Sequence, residues 1–139
     1  MKKILTLLGC VAVLLYSTAG AADKIMPFNL QVIQYDESLN AILLSGEYEN
    51  IFAKPLKAFR ADLVITDTQT GKSITLYTEE VAKRLVMPGQ WGVWSRWYDF
   101  DAKLPEHVFL RSAAKEHLST QLKLIRVLYI DGSQEGFVE

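Results

Sequence analysis

Phe59-Arg60-Ala61-Asp62-Leu63-Val64-Ile65-Thr66-Asp67-Thr68-Gln69-Thr70-Gly71-Lys72-Ser73-Ile74-Thr75-Leu76-Tyr77 holds the cleanest alternation in the chain. Phe59, Ala61, Leu63 and Ile65 fall on one side and Arg60, Asp62, Val64 and Thr66 on the other. That period of two marks a strand with one buried face. Residues 67–71 then read as a turn, because Asp67 can bond its own backbone and Gly71 can take a positive φ. Residues 72–77 return as the partner strand with Ile74 and Leu76 inward, which makes a hairpin with a five-residue connection.

Working outward, residues 41–48 form a second apolar run. Ile42, Leu44 and Tyr48 share one side, and Gly46 marks a bulge or a close approach. Upstream, Phe28, Leu30 and Val32 alternate with Asn29 and Gln31 until Asp36-Glu37-Ser38 breaks the pattern. Residues 50–55 read as a loop, since Pro55 argues against a central strand there. Downstream, residues 79–85 fit a short helical turn or a polar edge, and Met87-Pro88-Gly89 punctuates. Residues 90–100 form an aromatic strand, 106–118 a helix favoured by Ala113, Ala114, Lys115 and Glu116, and 122–130 a last strand closed by Asp131-Gly132. The tail from Ser133 reads as loosely held. About six short strands separated by turns predict an all-β, antiparallel β-sandwich with one short helix near the C-terminal third. The alternative is an α+β fold with that helix across one sheet.

The first residues set the expected compartment. Met1-Lys2-Lys3 precedes an apolar run from Ile4 to Tyr16 and then Ser17-Thr18-Ala19-Gly20-Ala21-Ala22. A basic start, a short apolar core and an A-x-A site at Ala19 and Ala21 describe a cleaved signal peptide over residues 1–21. A single domain over 22–139 remains, periplasmic or secreted. The run is 13 residues long, short of the ~20 that span a bilayer, so no membrane span is expected after cleavage. The alternative is a lipoprotein anchored through Cys10, because Leu7-Leu8-Gly9-Cys10 resembles a lipobox.

Cys10 is the only cysteine. The domain after cleavage then has no disulfide, no thiol nucleophile and no cysteine-based zinc site. Losing Lys2 and Lys3 lowers the 15 basic residues to 13 against 16 acidic ones, a net charge of −3. Nucleic-acid binders show a basic stripe instead, so no nucleic-acid partner is expected.

Gly46-Glu47-Tyr48-Glu49-Asn50, then Pro55-Leu56, the alternating stretch from Phe59 to Asp67, Gly71 and Pro88-Gly89 resemble the punctuation of small immunoglobulin-like domains of bacterial envelope proteins, the FxLyD-like kind. The resemblance covers roughly residues 28–100. It implies that the expected sandwich is an immunoglobulin-like one, with a role as an interaction or spacer module and no catalytic residue.

All three tryptophans fall within seven residues. On a strand, Trp91, Val93 and Trp97 point to one side and Trp94, Tyr98 and Phe100 to the other. One side packs in the core, and the other can hold a partner or a sugar ring. Trp91, Trp94, Trp97 and Tyr98 are therefore the candidate binding residues, with the side of Trp94 and Tyr98 expected to be the working one. His107 and His117, ten apart, lack the spacing of a metal-binding helix face and read as a surface pair, so no metal site is expected. The serines lack a G-x-S-x-G setting and a positioned base. Glu79/Glu80 and Asp99/Asp101 read as solvated acids rather than a glycosidase pair. Asp67–Gly71 and the Asp131 turn lack calcium-loop spacing. The expectation is a non-enzymatic module with no cofactor, which binds an envelope protein partner; the alternatives are a carbohydrate or small-ligand binder and a small hydrolase.

Overall fold

The structure, a computed structural model, describes residues 24–137. The expected signal segment, its cleavage residues Ala19 and Ala21, and Cys10 lie outside the described residues. In chain order the elements are β1 (Ile25–Met26), β2 (Phe28–Asp36), β3 (Ala41–Glu49), β4 (Leu56–Asp67), β5 (Ser73–Val86), β6 (Trp91–Asp99), α1 (Pro105–Ser112), a 3-10 turn (Lys115–His117), β7 (Leu118–Tyr129) and β8 (Gln134–Gly136). They build an antiparallel β-sandwich with one short helix. One sheet runs β1-β7-β4-β5, with β8 also on β7; the other runs β2-β3-β6. The chain changes sheet between β1 and β2, β3 and β4, β5 and β6, and β6 and β7, the habit of Greek-key sandwiches.

The β4–β5 hairpin follows from the alternating stretch. Leu63 stands opposite Leu76 and Ile65 opposite Ile74. Phe59, Ala61, Leu63 and Ile65 are all buried. In the turn, Asp67 Oδ1 accepts the Gln69 N–H at 2.9 Å, and Gly71 has φ +77°. On its other side β4 pairs with β7, Leu63 against Leu122 and Ala61 against Leu124. These side chains meet Leu30, Ile42, Leu44, Tyr48 and Trp94 of the smaller sheet in one apolar core. The Tyr48 and Phe59 rings meet edge to face at 4.9 Å across it. Gly46 serves a close approach: a Cβ there would lie 2.5 Å from the Phe28 ring.

Asn50 secures the loop between the sheets. Its Nδ2 donates to the carbonyls of Lys54 (2.9 Å) and Val86 (2.8 Å), and its Oδ1 accepts the Phe52 N–H. Each polar atom of this fully buried side chain is thus satisfied, which a buried amide requires.

Two regions depart from expectation, and residues 79–85 take one of their two expected readings, the polar edge and not the helical turn: β5, an outer strand of its sheet, continues to Val86. The pairing jumps from Ala58–Val81 to Leu56–Val86, so residues 82–85 bulge away from β4. The helix ends at Ser112, and Ala113 is already extended at ψ 142°. Strand β4 is the reason: its end pairs Thr66 with Ser119 and Asp67 with Leu118, so twelve-residue ladder formation outweighs the helix propensity of Ala113 and Ala114. The tail is held too. β8 pairs with β7, and Phe137 stacks on Phe52 at 5.8 Å.

Helix α1 crosses the end of the sandwich where β2 turns into β3. His107, Phe109 and Leu110 face inward while Val108 is exposed. Arg111 lies over the Tyr35 and Phe100 rings at 4.8 and 5.0 Å.

Candidate binding face on the three-stranded sheet

Strand β6 is an edge strand: it pairs with β3 on one side only. Its side chains alternate strictly. Gly92 and Trp94 are buried and Arg96 and Tyr98 partly so, while Trp91, Val93, Ser95, Trp97 and Asp99 are exposed. Trp94 keeps 1% of its surface, and its indole N–H donates to Thr78 Oγ1 at 3.0 Å. Gly92 admits the Tyr48 ring, since a Cβ at 92 would sit 2.5 Å from Tyr48 Cζ.

This arrangement corrects the expected working side. Trp94 and Tyr98 face the core, and the Tyr98 hydroxyl is buried without a hydrogen-bond partner. Burial raises the pKa of that hydroxyl. The open side is instead that of Trp91, Val93 and Trp97, which keep 48%, 67% and 50% of their surface. Gly92 was the signal that could have oriented the strand. A glycine alternating in phase with Trp94 and Tyr98 leaves room for a large inward residue on the neighbouring strand.

Register sets what surrounds these exposed residues. Glu49 stands opposite Trp91, Glu47 opposite Val93, Ser45 opposite Ser95 and Leu43 opposite Trp97. Beyond a bulge in β2, Val32 stands opposite Ser45 and Gln34 opposite Leu43. The outer face is thus an apolar stripe flanked by the carboxylates of Glu47, Glu49 and Asp99. Strands β2, β3 and β6 carry one basic residue, Arg96. Its guanidinium turns away from this face and donates to the Glu79 carbonyl on β5. Glu47, Glu49 and Asp99 make no ion pair among the described residues. Trp91 and Trp97, six residues apart, stand roughly 20 Å from each other on an extended strand.

A cleft of about 830 Å³ opens beside β6, between it and the bulged end of β5, lined among others by Tyr48, Glu80, Leu85, Trp91 and Val93. Glu80 points inward opposite Phe59. Burial raises its pKa, with Arg96 and Lys83 opposing the shift. Burial, with a smaller contribution from the Glu80 charge, pushes the Tyr48 hydroxyl up to about 12.

The remaining candidates are spread apart. Glu79 faces outward, accepts the Tyr77 hydroxyl and pairs with Arg60 at 3.1 Å, so it points away from Glu80. Asp99 lies on the open face of β6, whereas Asp101 Oδ1 accepts the Lys103 N–H. His107 corrects the expected surface pair: it is buried, and its Nδ1 accepts the Asp101 N–H at 3.0 Å. His117 sits beside the β4–β5 turn, its Nε2 3.3 Å from Gln69 Nε2. The turn at Asp131 is closed by its own Ser133, whose hydroxyl and N–H hold the Asp131 carboxyl down at about 2, helped by Lys54.

No family model matches the chain, and no curated protein matches it. Among solved structures, the ApaA protein of Bordetella pertussis is similar at 10% identity, over 82% of this chain and 89% of that one, with a TM-score of 0.35.

Proposed function

We propose that this protein is an exported, non-catalytic interaction module of the bacterial envelope that binds a protein partner through the open face of β6. The N-terminal sequence supports export to the periplasm or beyond. No helix among the described residues is long and apolar enough to cross a membrane. The resemblance to small FxLyD-like envelope domains belongs to the same reading. One observation carries it: Trp91, Val93 and Trp97 turn large apolar surfaces to solvent on a strand with a free edge. Tryptophan is enriched among residues that dominate binding energy, and a free edge can accept a strand by main-chain hydrogen bonds.

The test is a crosslinked pull-down from native envelope fractions with the protein and with its Trp91→Ala/Trp97→Ala double variant. A stoichiometric partner that the double variant loses supports the reading; a partner held equally by both overturns it. A second reading rests on the two exposed indoles sharing one face, which can stack on sugar rings. Saturable quenching of tryptophan fluorescence by soluble glycans, absent in the double variant, would favour it.

A further inference from the structure

We propose that the partner's contact is a basic extended segment, added beside β6 as a fourth strand of the smaller sheet, with lysine or arginine at two positions six residues apart. The inference rests on the interaction-module reading and names the chemistry of its partner. Residues of an added strand that share the outer face recur every second position, so the two standing beside Trp91 and Trp97 are six apart. A cation over an indole face is attracted by the ring quadrupole, and tryptophan is the best of the aromatic rings for this.

Charge selects a basic occupant. At one end of the face Glu49 lies just beyond Trp91 and Glu47 beyond Val93; at the other, Asp99 follows Trp97. Neighbouring strands lie about 4.8 Å apart, so an arginine or lysine lying across Trp91 ends close to Glu49. These three carboxylates make no ion pair among the described residues, and the single basic residue of the sheet's strands is engaged with β5. Pairing β6 with β6 of a second copy would gather the same carboxylates on one face with no added positive charge. The free edge of β6 runs from Trp91 past Trp97 to Asp99, and the cleft beside residues 90–95 gives room for the first part of the added strand. Lys83 and Arg84 border that cleft on β5, which directs the basic side chains of the segment to the outer face and away from β5.

The test uses the purified protein and synthetic nine-residue threonine/valine peptides, followed by tryptophan fluorescence. The first peptide carries arginine at its second and eighth positions, the second at its second and fifth, and the third carries glutamate at its second and eighth. The proposal expects saturable binding of the first, at least about tenfold weaker binding of the other two, and loss of affinity with added salt. Glu47→Gln/Glu49→Gln and Trp97→Ala are each expected to weaken the first peptide by about threefold or more. Sedimentation checks self-association in parallel. Equal binding of all three peptides overturns the basic requirement while strand addition stands. Dimerisation through β6 replaces the basic segment by a second copy and overturns the proposal. Binding of none overturns it as well, and the pull-down with the Trp91/Trp97 double variant then decides separately whether the module reading survives.

Discussion

The two sides of β6 carry similar residues and do opposite work. Inward, Trp94 is sealed in the core, bonded to Thr78, with Gly92 making room for Tyr48. Outward, Trp91, Val93 and Trp97 leave between 48% and 67% of their surface to solvent. An indole is indispensable to the fold on one side and dispensable to it on the other. Surface that contributes little to folding is free to serve binding.

The outer face of the larger sheet sharpens the contrast. Arg60 and Glu79 pair there, Tyr77 donates to Glu79, and Asp62 stands opposite Lys123. Charges of both signs are interleaved on that face and answer one another. The outer face of the smaller sheet presents Glu47, Glu49, Asp99 and the tryptophans with no ion pair among the described residues, the set that the proposed partner would complete.

Substitutions can break or sharpen this comparison. The largest effect is expected from Trp94→Ala, which empties the core beside Thr78 and should lower unfolding free energy by about 3–5 kcal/mol in denaturant titrations. Gly92→Val drives a side chain into the Tyr48 ring and should cost about 1–3 kcal/mol by the same measurement. An alkaline titration comes next. The Tyr48 hydroxyl ionises at about 12 in the fold and at its ordinary 10 when unfolded. The folded state therefore holds the extra proton between those values, and stability present below pH 10 falls as pH rises toward 12. Tyr48→Phe should flatten that decline in thermal melts at pH 9 to 12. The smallest effect belongs to Trp91→Ala and Trp97→Ala, each expected within about 0.5 kcal/mol of the unsubstituted protein. A loss near that of Trp94→Ala would mean that the outer tryptophans hold the fold, and the contrast would fail.

The sandwich was legible where one face of a strand is buried and the other wet. The stretch from Phe59 to Tyr77 alternates because β4 and β5 lie on one side of a single core, and its inward set is buried. Legibility failed where a distant partner decides the outcome. Ala113 and Ala114 favour helix locally, yet the end of β4 draws the following residues into β7. Residues 82–85 carry no clear period because they leave the ladder. The tryptophan cluster was visible at once, but periodicity alone divides a strand into two sides without saying which is inside. That depended on Tyr48, separated from Gly92 by β4 and β5 in the chain and directly opposite it in space.

The most direct measurement places a photo-crosslinking benzoylphenylalanine at Val93 or, in a second protein, at Tyr77 on the outer face of the larger sheet. Both positions are exposed, and each protein is irradiated in native envelope fractions. Adducts with one protein partner at position 93 and none at 77 are the expected result. Adducts at 77 with none at 93 would contradict the assignment of the binding face to β6.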